Sequence, residues 1–403
     1  MRDIKIFNMS QHSAPQYNEV IYSSKPYVLY GDDNLYPNYL ISLLNSSGKH
    51  NAIVKTKASM IGGNGLDTNG LSNEALIFIR NPYNKLTLDE ISARIAYDLE
   101  VFGAFALCIT WAKNKTTIAE IQYINPSNVR IGKEDENGVP TYFVSADWEN
   151  ERVCPPVEFA GFNTNYRKGK QILYVKEYKP GSEFYGQPNY LAGVNWISLE
   201  YEVSSYHLNS VINGFYPSMM INMVEGIPNE EEMDTTVRAL RKQYESAVNA
   251  GKVFFTFTDG PDKAPIMTPI EPNNSDERFI QLNKEITQGI MVAHQVVSPA
   301  LFGVTTEGSL GDKNNMIDGL QIFQAQYVDP KQKMIEDIFN KLARINGIQD
   351  KLLLNKYQIK FSGEVAVGDL LSILESTLPV EQKVNILISY GYTEEEAKKI
   401  NGI

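Results

Sequence analysis

Residues 171–226 read QILYVKEYKPGSEFYGQPNYLAGVNWISLEYEVSSYHLNSVINGFYPSMMINMVEG, and this stretch decides the fold that the sequence predicts. An apolar strand passes through a Gly/Pro turn into a long helix, and the sequence NGFYP ends that helix before a second apolar strand. Within residues 190–213 the helix contains Glu200 and Glu202 but no Lys or Arg. Its acidic groups therefore have no local partner, which calls for an explanation.

Composition indicates a folded protein that holds its core without disulfide bonds. The 403 residues are 43% hydrophobic and 21% charged, enough for two or three compact units. Cys108 lies in an apolar run and Cys154 beside two prolines, so both are predicted to be reduced thiols of a cytoplasmic protein. We see neither a secretory signal at the start nor a window long and apolar enough for a membrane span.

The net charge of -11 argues against a protein that holds nucleic acid over a wide surface, because phosphate neutralisation requires clustered Lys and Arg. A weak or transient contact with DNA stays open. This distinction bears on the function that we propose below.

Upstream of the long helix the pattern indicates an arm followed by an α+β unit. The first 40 residues have little periodicity and read as an extended arm laid on other structure. Residues 39–61 have helical spacing with a break at 46–48, and Thr87 with Glu90 forms a capping box that begins a second helix. Alternating segments within residues 104–180 predict strands separated by turns.

Downstream of the long helix the pattern indicates a small insert and a returning helix. Residues 215–272 predict a strand, a helix over 230–248 and the strands KVFFTFT and IMTPI. A returning helix follows over residues 275–295, then a Gly/Thr/Ser loop. A further helix covers residues 316–345, where Asp329 and Pro330 predict a kink or a new start. The strand YQIKFSG and three short helices complete the chain.

The sequence predicts no catalytic, cofactor-binding or metal site. There is no GxxxxGK[ST] phosphate loop, and the four histidines lie outside any zinc-binding pattern. The paired acids Asp32 and Asp33 read as a turn, and Glu200 with Glu202 could also be a solvated helix face. We expect the aromatic residues of the strand region to pack within the sheet rather than to form a platform on which bases stack, since no basic residues accompany them. These residues are Tyr123, Tyr142, Phe143 and Trp148.

In this order, several segments resemble the portal, or head-to-tail connector, proteins of tailed bacteriophages. The segments that carry the resemblance are packing and turn sequences: DLEVFGAFALCI, IQYINPSNVRI, ILYVKEYKPGSEFYGQPNYLAGVNWI, NGFYPSMMINM, DERFIQLNKEITQGIMVAHQVVSPALFGV and FQAQYVDPKQKMIEDIFNKL. Two departures are Ser298 and Pro299 in VVSPALFGV and a short C-terminal region.

The resemblance implies an α+β portal-protein fold with named parts. These are an N-terminal arm and α+β wing (1–189), a first stem helix (190–213), a clip (214–273), a second stem helix (274–297), a tunnel loop region (298–315), a wing helix and strand (316–363) and crown-like helices (364–403).

The resemblance also implies a role and partners. The chain would form a ring, usually of twelve copies, at one capsid vertex of the virion, after assembly in the host cytoplasm and without a membrane. Double-stranded DNA would pass through the ring without sequence specificity. The other implied partners are the terminase, the major capsid protein or scaffold, and head-completion or adaptor proteins.

Because a ring repeats each residue around its axis, one unpaired carboxylate becomes a belt of negative charge that keeps contact with DNA weak. We therefore expect Glu200 or Glu202 to face the channel. The tunnel loop would add Thr305, Thr306, Glu307, Ser309 and Lys313, although a disordered surface loop is the alternative. The clip would offer a docking surface with Glu230, Glu231, Arg238, Arg241 and Lys242.

Two other functions stay open from the sequence. One is an enzyme of unknown class whose site is assembled from scattered carboxylates. The other is a different virion component, such as an adaptor or receptor-binding protein. The arrangement of helix, insert and helix over residues 190–295 favours the portal interpretation, because an enzyme has no particular reason to possess it.

Overall fold

The computed structural model describes most of the chain and divides it into two units. The described residues are 15–134, 138–213, 219–223, 235, 253–257, 275–296, 299–302, 313–357, 374–375, 378–389 and 394–402. A large unit covers residues 1–355 and a small one covers residues 356–403. The mixture of helix and sheet confirms the predicted α+β class.

Ten helices of seven residues or more lie within the described ranges. They are α1 (Tyr36–Ser46), α2 (Gly48–Gly62), α3 (Asn73–Arg80), α4 (Leu88–Phe102), α5 (Val194–Asn213), α6 (Ser275–Ala293), α7 (Lys313–Phe323), α8 (Asp329–Ile345), α9 (Val380–Ser389) and α10 (Glu394–Ile400).

The strands form one six-stranded sheet and two small pairs. They are β1 (Glu19–Val20), β2 (Leu29–Tyr30), β3 (Ala104–Trp111), β4 (Ile118–Ile124), β5 (Val129–Glu134), β6 (Pro140–Val144), β7 (Val157–Gly161), β8 (Lys170–Lys176), β9 (Met219–Met223) and β10 (Val253–Phe257). The large sheet has the order β4-β3-β8-β7-β6-β5 and is antiparallel except for β7 beside β8. β3 is its most deeply buried strand.

The predicted helix starts before this sheet are confirmed. α1 and α2 are separated at Ser47, whose hydroxyl accepts the backbone N–H of His50 as an N-cap. Thr87 and Glu90 form the predicted capping box of α4. α4 ends at Gly103 with φ 67°, where a side chain would lie 2.3 Å from the carbonyl oxygen of Gln187. Only glycine satisfies both conditions.

Both edges of the large sheet are covered over part of their length. The side-chain amide of Asn346 accepts the N–H of Ile118 and donates to its carbonyl oxygen, at 2.7 and 3.1 Å. Asn81 makes the same pair of bonds with Ile121. At the opposite edge the arm donates from Val28 to the carbonyl oxygen of Ile131 on β5. These groups satisfy backbone donors and acceptors that an open edge would expose.

The arm is fixed by polar contacts at both ends. Glu19 accepts hydrogen bonds from three successive backbone N–H groups of residues 183–185, at 2.8–2.9 Å. Arg130 is fully buried, donates to the side chain and backbone of Asn34, and stands 4.6 Å over the ring of Trp148. Residues 15–34 confirm the extended part of the predicted arm, whereas residues 36–40 belong to α1. The ring of Trp148 is buried, as expected for strand packing.

A π-helical turn, Gln324–Val328, joins α7 to α8, which begins with Pro330 in its first turn. The sequence left a kink or a new start open at this proline, but the backbone stays helical through the junction, with Phe323, Val328 and Asp329 all in the α region, so no new helix starts here. The π turn, α3 and β7 were not predicted. In the insert, β9 and β10 confirm two of the predicted strands and pair in parallel with each other. The predicted helix over 230–248, apart from Thr235, lies outside the described residues, and so does the predicted strand over 266–270. Of the predicted strand over 357–363, the described residues include only Tyr357.

Candidate functional site

The two long helices α5 and α6 form a closely packed antiparallel pair, which we call the stem. The start of α5 lies against the end of α6. A Cβ placed on Gly193, the residue just before α5, would be 2.3 Å from the Cβ of Ala293. One turn further, a Cβ on Gly289 would lie 2.6 Å from the ring of Trp196. The helices can approach this closely because glycine, which has no Cβ, occupies both positions.

Further along the stem, aromatic side chains separate the helices. The ring of Phe279 stacks on Tyr206 with centroids 5.6 Å apart and meets His207 edge-on at 4.8 Å. Aromatic pairs of this geometry contribute about 0.5–1.5 kcal/mol beyond the area that they bury. His207 thus contributes to the contact between the two helices.

Glu200 is paired, so the prediction that the acidic groups of this helix lack a partner is wrong for this residue. The hydroxyl of Ser47 donates to its carboxylate, and Lys49 Nζ lies 3.7 Å from Glu200 Oε1. Lys49 also donates to Asn283 on α6 at 2.7 Å. The start of α2 therefore holds both stem helices to the rest of the large unit.

Glu202 differs from Glu200 in its surroundings. Its side chain is exposed, and among the described residues none forms an ion pair or hydrogen bond with it. It is the other acidic residue on α5, and its carboxylate faces solvent in the single chain.

The other predicted site residues fall at or beyond the limits of the described ranges. Lys313 is the first residue of α7. The loop residues Thr305, Thr306, Glu307 and Ser309 and the clip residues Glu230, Glu231, Arg238, Arg241 and Lys242 lie outside the described residues.

A buried charge cluster, absent from the sequence predictions, lies where α2, α4, the π turn and α8 meet. The carboxylate of Glu100 accepts from Lys331 Nζ at 2.8 Å and from the hydroxyl of Tyr327 at 2.8–2.9 Å. Lys57 Nζ is 3.7 Å from Glu100 and 3.9 Å from the centre of the Tyr327 ring. Lys331 also lies 3.2 Å from Glu177.

The charges in this cluster shift one another's titration. Burial alone would raise the pKa of Glu100, but the ammonium groups of Lys331 and Lys57 hold it below its usual value. Burial lowers the pKa of Lys57 to about 8, against the attraction of Glu100. Burial also acts to lower the pKa of Lys331, yet Glu100 and Glu177 raise it above its usual value. The cluster neutralises its charges internally and presents no open catalytic cleft.

Two histidines contact each other beside this cluster, and the sequence did not predict this contact. His50 Nδ1 and His294 Nε2 are 2.8 Å apart, and both side chains are buried. His50 lies on α2, and His294 directly follows α6. The sequence shows no signal for this pair, since the residues are 244 positions apart.

Other kinds of site receive no support within the described residues. They contain no group of three or more His, Cys, Asp or Glu side chains placed to hold a metal ion. Within the same residues no helix has the length and apolar character needed to cross a membrane. A groove of about 420 Å³ opens on the stem beside Trp196, and Glu285 is the one titratable residue in its lining.

Comparison with known proteins gives one relative by sequence and several by fold. No protein-family model matches the chain. A probable portal protein of Haemophilus phage HP1 (strain HP1c1) is 23% identical over 195 residues, which are 48% of this chain and 52% of that protein. The match therefore spans about half of the length of the curated relative.

The fold similarity extends further along the chain. A chain in the neck of a native gene transfer agent particle, computed with C12 symmetry, has a TM-score of 0.51 and 15% identity, covering 87% of this chain and 93% of that one. A chain from the virion of the native particle has a TM-score of 0.50 and 14% identity, covering 90% and 93%. The resemblance of this chain to phage portal proteins is thus confirmed by sequence over about half of its length, and its fold is that of a chain in the neck of a gene transfer agent particle.

Proposed function

We propose that this chain is a portal subunit that forms a ring, with twelve copies, at one vertex of a capsid and conducts double-stranded DNA. The observation that carries the proposal is the stem, two long antiparallel helices held by Lys49 to an α+β unit, within a fold shared with a neck chain whose symmetry is C12. In this proposal α5 and α6 are the stem, and the sheet with α1–α4 and α8 is the wing.

The charge on the stem suits passage of DNA rather than capture. Glu202 is exposed and has no internal partner among the described residues, so a twelvefold ring that turns it toward the axis would carry a belt of twelve carboxylates. Such a belt repels phosphate, which keeps the contact weak, whereas a belt of Lys or Arg would bind the backbone through counterion release. We assign this role to Glu202 and withdraw it from Glu200, because Lys49 and Ser47 already occupy that carboxylate.

The same proposal gives the loop and the insert their roles. Thr305, Thr306, Glu307, Ser309 and Lys313 would make light polar contacts with DNA. The insert over residues 214–273 would be the clip, with a surface that docks the terminase during packaging and head-completion or adaptor proteins afterwards. The wing would meet the capsid protein or scaffold at the vertex. Assembly would take place in the host cytoplasm.

Electron microscopy of the purified chain tests the ring directly. We expect closed rings with a central hole, built from twelve 45.4 kDa copies, either alone or after addition of the capsid and scaffold proteins of the same particle. Mass measurement of the rings gives the copy number. A chain that stays monomeric under both conditions, yet binds another virion protein, would support the adaptor alternative instead.

A charge reversal tests the channel. Glu202→Lys should leave ring formation intact and reduce the amount of DNA packaged, because twelve added cations would hold the phosphate backbone. Glu149→Lys, at an exposed turn of the wing, is the matched control for the same charge change. Equal packaging by both variants would remove Glu202 from the channel. Deletion of residues 306–312 should likewise spare rings and impair packaging or DNA retention.

A further inference from the structure

The contact between His50 and His294 is a second link between α2 and the α6 region, in addition to the bond from Lys49 to Asn283. His50 lies in the first turn of α2, and His294 follows the last residue of α6. Nδ1 of His50 and Nε2 of His294 are 2.8 Å apart, and the side chains are 0% and 1% exposed. Tyr190, just before α5, packs against both rings, with centroids 4.4 Å from His50 and 5.2 Å from His294.

This geometry fixes how many protons the pair can hold. In a hydrogen bond between two imidazoles one nitrogen donates and the other accepts, so the accepting nitrogen carries no proton. His50 Nε2 is buried and has no hydrogen-bond partner among the described residues. If His50 donates from Nδ1, its Nε2 keeps only a lone pair. The opposite arrangement would bury an unpaired N–H group, which is rarer in folded proteins. The structure therefore favours a neutral pair in which His50 donates.

An additional proton has no favourable place in this site. On His50 it would go to Nε2, which lacks an acceptor, and the buried ammonium of Lys57 lies on the same helix. Burial and, to a smaller extent, the charge of Lys57 together lower the pKa of His50 to about 4, against the opposing charge of Glu100. Burial likewise lowers the pKa of His294, with Lys57 and His50 acting in the same direction.

The titratable groups around the pair come from every element packed against it. They are Lys57 on α2, Glu100 on α4 and Tyr190 before α5, while Tyr36 and Tyr39 on α1 act on Tyr190, and Lys331 on α8 and Glu177 act on Lys57. Glu100 is buried, and Lys331 and Tyr327 already use its oxygens. No free carboxylate of this set therefore compensates an imidazolium.

We propose that the His50–His294 contact is an acid-labile latch, which holds the end of α6 against α2 while both imidazoles are neutral and opens when one is protonated. Opening brings the imidazoles into contact with water, where the added proton is stable. The end of α6 leads into residues 299–302 and, beyond them, the candidate tunnel loop, so the latch would control how firmly that end of the stem is held.

The direction of the pH effect follows from proton binding. The open form binds protons with the ordinary histidine pKa of about 6.5, whereas closed His50 binds them only near pH 4. Between these values the open form holds more protons, so stability of the closed latch is lost as the pH falls. From these two pKa values, His50 alone raises the ratio of open to closed forms about twentyfold between pH 7 and pH 5. His294, whose pKa is also lowered in the closed form, increases this ratio further.

Acid opening of the latch can be tested by hydrogen exchange of the full chain at pH 7 and pH 5, with the exchange rates corrected for the intrinsic effect of pH. Exchange in residues 286–296 and 50–61 should accelerate by more than about twentyfold in acid, since both imidazoles contribute, while β3 should keep its protection. His294→Gln retains a donor and an acceptor but does not titrate, so its acceleration should fall to the share of about twentyfold that His50 supplies. His207→Gln, which removes a histidine outside the pair, is the matched control and should keep it.

Two results would overturn the latch: equal corrected exchange of the wild-type segments at both pH values, or unchanged acid acceleration in His294→Gln. If His294→Gln does not fold, NMR titration of the wild-type imidazoles decides. Two of the four histidines should then resist protonation down to about pH 5. Titration of all four near pH 6.5 in the folded chain refutes the proposal.

Discussion

Replacing Glu100 by Gln preserves the size of the side chain and removes its negative charge from the buried cluster. Lys331 then loses a carboxylate at 2.8 Å and Lys57 one at 3.7 Å, while the hydroxyl of Tyr327 can still donate to the amide oxygen. Removing one partner of a buried ion pair destabilises proteins by about 3–5 kcal/mol. The alternative for the chain is to neutralise a lysine, which costs up to about 5 kcal/mol at pH 7 for a group whose ordinary pKa is about 10.4.

We therefore expect Glu100→Gln to lower the free energy of unfolding by about 3–5 kcal/mol at pH 7. The deficit should shrink by up to about 1.4 kcal/mol per pH unit as the pH rises from 7 to 9, because deprotonating a lysine becomes easier. The free energy of unfolding can be measured by urea unfolding, followed by the fluorescence of Trp111 and Trp148, which are both buried in the large unit. Glu202→Gln, on an exposed position, is the control and should stay within about 0.5 kcal/mol of the wild type.

Two results would refute this reasoning. A Glu100→Gln deficit below about 1 kcal/mol would mean that the lysines find other compensation within the cluster. A large deficit that does not change with pH would mean that the loss comes from packing rather than from uncompensated charge.

Three further variants probe features described above. Lys57→Met should be neutral or stabilising by up to about 4 kcal/mol, because Lys57 makes no hydrogen bond and Glu100 keeps Lys331; a loss of stability in urea unfolding would contradict this. Gly289→Leu should destabilise the stem by at least about 1–3 kcal/mol through overlap with Trp196, unlike Gly48→Ala, where a Cβ meets open space; equal unfolding midpoints would count against the tight crossing. Asn346→Ala should cost about 1–3 kcal/mol by leaving the N–H and carbonyl of Ile118 unpaired, and unchanged hydrogen exchange at Ile118 would contradict it.

The parts of the fold that the sequence predicted well are those that depend on neighbours in the chain. The capping box of α4 needs only Thr87 and Glu90, three residues apart. The helical spacing of α5 and α6 and the alternation of most strands are equally local. α3 was missed because its eight residues are too few for a clear period, and β7 because it is largely exposed.

The parts that the sequence did not predict depend on residues far apart in the chain. No Lys or Arg lies near Glu200 in the helix sequence, yet Lys49, which lies 151 positions earlier in the chain, is its partner in the fold. The contact of Lys331 with Glu100 spans 231 positions. One signal was present: Lys57 lies four residues after the buried Ile53 and four before the buried Ile61, so it falls on the apolar stripe of α2. A charged side chain on the apolar face of a helix indicates that an oppositely charged partner is buried beside it.

The amide side chains along β4 and the arm along β5 have a consequence for how copies of this chain can associate. A sheet with open edges can continue from one molecule into the next through backbone hydrogen bonds, which recognise any strand. Here Asn346 and Asn81 occupy one edge and Val28 the other, so that generic route is blocked where they bind. Association between copies must then rely on particular side chains and their shapes. A chain made in many copies at once can in this way stay separate until the correct neighbour arrives.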